Sequence, residues 1–113
     1  MPAQKLNLTG NNRVEQGSTY ELKITCKTTA GAVYDLSGST CAAKIRETKA
    51  AATSVDFASA INTTTGVITL TLSATVTAAI TFTTGFWDCE LTTGTTVIRL
   101  LEGAVEVSQE VTK

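Results

Sequence analysis

The residues in this chain best able to do chemistry are a pair of carboxylates and three thiols. Asp88 and Glu90 stand two apart in Phe86-Trp87-Asp88-Cys89-Glu90-Leu91, and on an extended strand that spacing puts both carboxyls on one face, about 7 Å apart. Paired carboxylates can divide acid and base duties between them. The sequence holds no His, which removes the commonest general base and the commonest transition-metal ligand. Neither a Ser/His/Asp nor a Cys/His relay can be built within one chain. Alternating charge is also what the wet face of a strand requires, so Asp88 and Glu90 read as surface rather than as catalysts, and no enzyme is expected. Cys26, Cys41 and Cys89 are odd in number and lack Cys-x-x-Cys spacing. Each falls on the inward phase of an apolar alternation, which predicts buried free thiols, with a bridge between two cysteines on neighbouring strands as the alternative. No Gly-rich phosphate cradle is present and no cofactor is expected.

The elements that must position these groups are strands. Trp87, Cys89 and Leu91 share one phase and Asp88 and Glu90 the other, the period of a half-buried strand. Thr92-Thr93-Gly94-Thr95 then breaks the chain before Val97-Ile98-Arg99-Leu100-Leu101, which predicts a β-hairpin. Beyond Leu101 the strand continues through Val105 and Val107, with a bulge or a close contact at Gly103. Tyr20 to Lys27 gives the cleanest alternation, Tyr20, Leu22, Ile24 and Cys26 against Glu21, Lys23, Thr25 and Lys27. Thr40–Arg46 and Val67–Leu72 alternate in the same way. Lys5–Leu8 and Ser54–Ala58 are shorter strand candidates, and Ala32–Leu36 is a short strand or extended link. Glu47–Ala52 reads as a loop, Ala60–Gly66 as a turn and Ser108–Lys113 as an exposed tail. Ser73 is a good N-cap, and Val76, Ala79 and Ile80 have helical spacing, so a turn or two of helix is expected near Ser73–Ile80.

These elements describe an all-β fold: an antiparallel β-sandwich of immunoglobulin-like size, with seven or eight short strands and at most one short helix. Its 113 residues suit a single domain, 1–113, that buries roughly two-thirds of the surface of its unfolded form. Apolar residues make up 42% and charged residues 17%, the latter below the ordinary ~25%, with Thr filling the gap. The formal net charge is −1, and no run of Lys or Arg marks a nucleic-acid or anionic-membrane partner. No run approaches the ~18 apolar residues of a membrane span, and the start lacks the apolar core of a signal peptide.

With Trp87 inward as a core anchor, Phe86 should point outward beside Asp88 and Glu90. Strict alternation puts Ile98 and Leu100 on the phase opposite Leu101 and Val105. The final hairpin is then apolar on both faces, and Phe86, Asp88, Glu90, Ile98 and Leu100 form a candidate interaction surface. Either a neighbouring subunit or the Ser73–Ile80 helix would cover it. On the subunit reading, Phe86→Ser and Leu100→Ser leave the fold soluble.

Five stretches in order, Val33-Tyr34-Asp35-Leu36-Ser37-Gly38, Ala43-Lys44-Ile45-Arg46, Gly66 to Ala74, Gly85 to Leu91, and Arg99 to Thr112, resemble small virion proteins of tailed bacteriophages. Those proteins carry an immunoglobulin-like or baseplate-upper-protein-like N-terminal β domain. The resemblance spans most of the chain. It implies a non-enzymatic structural protein of the virion, made in the bacterial host cytoplasm, that contacts other virion proteins and copies of itself in a symmetric assembly. A tail or baseplate attachment module is the first expectation, a capsid decoration protein the second, and a carbohydrate- or receptor-binding module the third. No catalytic residue is implied.

Overall fold

Alternation of apolar and polar residues becomes strand pairing in the computed structural model, which describes residues 4–27, 31–32 and 34–109. Among the described residues the elements run β1 (Gln4–Lys5), β2 (Val14–Glu15), β3 (Tyr20–Thr25), β4 (Ser39–Arg46), β5 (Val55–Asp56), β6 (Ala58–Asn62), β7 (Val67–Leu72), α1 (Ala74–Ala78), β8 (Thr84–Thr93) and β9 (Thr96–Ser108). A single 3-10 turn, Gly10–Asn12, lies between β1 and β2. The larger sheet has the order β1-β9-β8-β4-β5, with β2 also on β9, and the smaller has the order β3-β7-β6. The all-β, two-sheet expectation holds.

The core lies where the inward phases of the two sheets meet. Ile68, Leu70 and Leu72 of β7 and Cys89 of β8 are fully buried, and Trp87 and Leu91 of β8 nearly so. Each large apolar side chain removed from water in this way contributes roughly 1.5–3 kcal/mol before the entropy of ordering is subtracted. Phe57 joins the layers, its ring centroid 6.4 Å from Tyr20 and 6.1 Å from Trp87. It sits at a change of sheet: Val55–Asp56 pairs with β4, the Phe57 N–H donates to the Ala43 carbonyl (3.0 Å), and from Ala58 the chain pairs with β7. The expected strand at Ser54–Ala58 is therefore split between two sheets. Strand β6 runs on to Asn62, whose side chain accepts from the Thr64 and Thr65 N–H groups to close the turn into β7.

Three features depart from the expected pattern. First, β1 and β2 pair with β9 in parallel, Gln4 opposite Leu101 and Val14 opposite Val107, so the sandwich is antiparallel except along this edge. Almost the whole chain separates these partners, so no hairpin dictates their direction. Second, the irregularity in the last hairpin is not at Gly103. Cys89 pairs with Leu101 and Glu90 with Arg99, leaving Leu100 as the extra residue. Gly103 is instead a close contact, because a Cβ there would overlap the Leu6 carbonyl. That carbonyl accepts the Trp87 indole N–H at 2.7 Å.

The third departure is in α1. Ser73 caps it as expected, its hydroxyl accepting from the Val76 N–H at 3.2 Å. Yet Val76 is 37% exposed, and the helical residue that is buried is Thr77. The Thr77 hydroxyl donates to the Ser18 carbonyl (2.8 Å) and accepts from the Gly17 N–H (3.1 Å), so the helix docks on the Gln16–Ser18 turn through a satisfied polar contact. Glu47–Ala52 is a loop, as expected. Ala32 and Tyr34–Leu36 form no regular strand, and Leu36 is buried. The expected turn at Thr28–Ala30, Val33, and the end of the tail at Glu110–Lys113 lie outside the described residues.

Candidate functional site

The outer face of the larger sheet is assembled from residues that the sequence scatters. One row crosses five strands in register: Asp56 on β5, Lys44 on β4, Asp88 on β8, Glu102 on β9 and Lys5 on β1. Lys44 Nζ and Asp56 Oδ1 are 3.6 Å apart. A hydrogen bond from the Ser54 hydroxyl (2.7 Å), with the nearby Lys44 ammonium, holds the Asp56 carboxyl below the usual range. Asp88 and Glu102 stand directly opposite one another, a like-charge pair that would destabilise the ladder by itself. Arg99, in the next row, resolves this by reaching both: its Nε lies 3.6 Å from Asp88 Oδ2, and its Nη1 lies 3.3 Å from Glu102 Oε1. These side chains are one-third to two-thirds exposed, so each pair contributes at most about 1 kcal/mol. Their effect is to fix a charge pattern more than to hold the fold.

Phe86 occupies the row beside this ladder, between Arg46 and Ala104, and is 42% exposed. Arg46 donates from Nη1 to the Ala51 carbonyl (2.8 Å) and approaches that of Thr53 (3.3 Å), which ties the loop after β4 against the sheet. Lys49 in that loop consequently stands over the Phe86 ring, Nζ 5.5 Å from its centroid, a cation–π geometry. Around them the face is concave, enclosing about 620 Å³. Among the described residues five basic side chains (Lys5, Lys44, Arg46, Lys49 and Arg99) and three acidic ones (Asp88, Glu90 and Glu102) line it. The depression is net positive on a chain of net charge −1.

No family model matches this chain, and no curated protein matches it. Its functional reading therefore rests on which residues the fold gathers. Phe86, Asp88 and Glu90 come together on the outer face, as the alternation predicts. Ile98 and Leu100 do not join them, which corrects the expected continuous stripe. The extra residue at Leu100 reverses the phase of the strand before it, so Ile98 lies opposite buried Leu91 and points inward. Leu100 packs against the core. Both line a smaller opening of about 190 Å³ between the sheets, with Ile24, Cys26, Tyr34 and Leu101. The α1 helix does not cover Phe86, since it docks on the Gln16–Ser18 turn.

Composition and local pattern missed the basic cluster. Lys44, Arg46 and Lys49 are near neighbours in sequence, but Lys5 and Arg99 are far from them, and only the in-register pairing of four strands and the Arg46-tied loop unites all five. Chemically the face can stack on an apolar group at Phe86, attract negative charge, and form bidentate contacts through the arginines. Asp88 is engaged by Arg99, and among the described residues no group of three or more Cys, Asp or Glu side chains is placed to hold a metal ion.

Proposed function

We propose that this chain is a non-enzymatic structural protein of a tailed-bacteriophage particle, an assembly or attachment module of the tail or baseplate present in several symmetric copies. The observation that carries this reading is the exposed Phe86 ring set within a basic, concave sheet face. An aromatic anchor surrounded by arginines and paired charge is the composition of an interface hot spot. The excess of cations fits a partner that presents an acidic surface, such as a neighbouring virion protein. The sequence resemblance to phage virion β domains supports the setting.

The test is incorporation. Particles are assembled with wild-type or Phe86→Ser chain and the copies per purified particle are counted. The expected result is a folded, soluble variant that is lost from the particle. Particles that take up the variant at full occupancy, or that contain none of the wild-type chain, overturn the proposal. A handful of copies supports the tail or baseplate, and tens to hundreds support the alternative of capsid decoration. A second reading, a carbohydrate- or receptor-binding module, is favoured by the same ring standing beside Asp88, Glu90 and Arg99 in the depression. Glycan-array binding that disappears in Phe86→Ser selects it.

A further inference from the structure

Two thiols from different strands meet inside the sandwich: Cys41 Sγ on β4 and Cys89 Sγ on β8 are 3.1 Å apart. Their contact follows from register. Cys41 stands opposite Leu91 and Cys89 opposite Ala43, so the two cysteines are diagonal neighbours on the inward face of adjacent strands, where side chains reach one another. Their surroundings differ. Cys89 is fully buried, whereas Cys41 is partly exposed. The hydrogen bond from Cys89 lowers the Cys41 thiol against the opposing effect of burial, and that same bond, together with burial, raises Cys89. Cys41 is thus both the reachable sulfur and the one with more thiolate character, with its partner already in contact.

We propose that Cys41 and Cys89 form an oxidation site, which a hydroperoxide such as hydrogen peroxide converts to a cross-strand disulfide stapling β4 to β8. The Cys41 thiolate attacks one peroxide oxygen, the O–O bond breaks, and hydroxide leaves with the proton lost by Cys41 to become water. Cys41 is then a sulfenic acid. The Cys89 sulfur attacks the Cys41 sulfur, the S–S bond forms as the S–O bond breaks, and the departing hydroxide takes the Cys89 proton as a second water. Two thiols supply the two electrons that reduce one peroxide.

The geometry asks little of the fold. The sulfurs close from 3.1 Å to about 2.05 Å, a movement of roughly 1 Å that side-chain torsions can absorb. Strands β4 and β8 are already paired from Ser39 opposite Thr93 to Arg46 opposite Phe86, so the bond joins elements that are in place. Its larger effect is on the unfolded chain, where it links residues 48 apart in sequence. Cys26, just past the end of β3 in the other sheet, is the competing thiol. Burial and the Cys41 charge raise it, which disfavours its thiolate.

The full-length chain is treated with a small excess of hydrogen peroxide near pH 8, alkylated, and examined by intact mass and peptide mapping. The expected result is the loss of two hydrogens, a Cys41–Cys89 linked peptide, and one alkylatable thiol. The thermal midpoint should rise by at least about 5 °C and fall back on reduction. Cys26→Ser should keep the link and Cys41→Ser should abolish it. A bond that contains Cys26, a Cys41 carried on to sulfinic or sulfonic acid without a link, or three thiols still alkylatable after treatment overturns the proposal. A linked protein with an unchanged midpoint overturns the stapling. Should Cys41→Ser fail to fold, the wild-type peptide map decides alone.

Discussion

Gly103→Ala is the smallest change that tests how the N-terminal segment is locked to the sandwich. At this point the chain before β2 is hydrogen-bonded to β9 and to Trp87 of β8. The Leu6 N–H donates to the Glu102 carbonyl (2.9 Å) and the Leu8 N–H to the Ala104 carbonyl (2.8 Å). Asn7 Oδ1 accepts from the Ala104 N–H (3.1 Å), and the Leu6 carbonyl accepts the Trp87 indole N–H (2.7 Å). A methyl group at Gly103 takes the space of that carbonyl, so the segment must shift outward. The indole N–H, attached to a ring only 3% exposed, loses its partner, which costs about 1–3 kcal/mol. Displacing backbone to admit the methyl adds about 1–3 kcal/mol, giving a combined expectation of about 2–6 kcal/mol. Urea denaturation followed by far-UV circular dichroism measures it. The emission of Trp87, the single Trp of the chain, reports the local change. In a Trp87→Phe background, where the indole bond is already absent, the same glycine substitution should cost about 1–3 kcal/mol less. A Gly103→Ala protein within 0.5 kcal/mol of wild type (roughly the scatter of a neutral surface change), with unshifted emission, refutes the locking argument.

Other substitutions separate surface from core. Thr77→Val keeps the shape of a buried side chain but leaves the Gly17 N–H and the Ser18 carbonyl unpaired, and should lower stability by about 1–3 kcal/mol in urea titration. Leu100→Ser, in a residue packed against the core, should cost about 1–2 kcal/mol, whereas Phe86→Ser on the outer face should stay within about 0.5 kcal/mol. Equal costs for the two would place both residues on one face. Arg99→Gln frees the Asp88–Glu102 repulsion and should destabilise by under about 1 kcal/mol, an effect that fades in high salt. For Asp56, NMR titration should find a carboxyl below its usual pKa that moves upward in Ser54→Ala. Because the folded value is depressed, the stability it confers is present above the unfolded pKa and is lost as pH falls through the folded one.

The parts of the fold legible in sequence are those governed by residues one or two apart. Tyr20-Leu22-Ile24-Cys26, Ile68-Leu70-Leu72 and Trp87-Cys89-Leu91 each announce a strand and its buried side, and Ser73 announces the cap of α1. What could not be read depends on partners far away in the chain. Nothing near Gln4 or Val14 specifies that β9 will receive them in parallel. The extra residue at Leu100 is decided by how β9 meets β8, and that one shift carries Ile98 from the outer face to the inner. Thr77 displaced the apolar Val76 from the interior because the Gln16–Ser18 turn brings backbone groups that a hydroxyl can satisfy and a methyl cannot. The candidate face divides in the same way: Phe86, Asp88 and Glu90 follow from alternation along one strand, while Lys5, Lys44 and Arg99 join them only through cross-strand register and Lys49 through the loop that Arg46 ties down.

The distribution of free backbone explains why the outer face, more than the sheet edges, is the surface to test for association. Along β9 the N-terminal segment takes up the edge from Leu101 to Ser108. The outer edge of β4 is engaged by β5, by the Phe57 N–H on the Ala43 carbonyl, and by the Ser59 hydroxyl on the Cys41 carbonyl at 2.8 Å. In the smaller sheet the outer edges of β6 and β3 have no strand partner among the described residues, and that of β3 is the longer. The Cys26 N–H bonds to the Gly66 carbonyl, so the alternation of an antiparallel ladder turns the backbone groups of Glu21, Lys23 and Thr25 outward. Glu21 and Lys23 flank that edge with an exposed ion pair at 3.9 Å, and such charges discourage strand addition. With the edges of β9 and β4 occupied and that of β3 guarded, broad association is better served by a face than by the short edges left at β5 and β6. Of the two outer faces, that of the larger sheet combines concavity, an exposed ring and a local charge opposite in sign to that of the whole chain. An acidic partner would be drawn to this surface at long range and would bury Phe86 at contact, so its association should weaken with salt and fail with Phe86→Ser, two losses that a purely apolar patch would not show together.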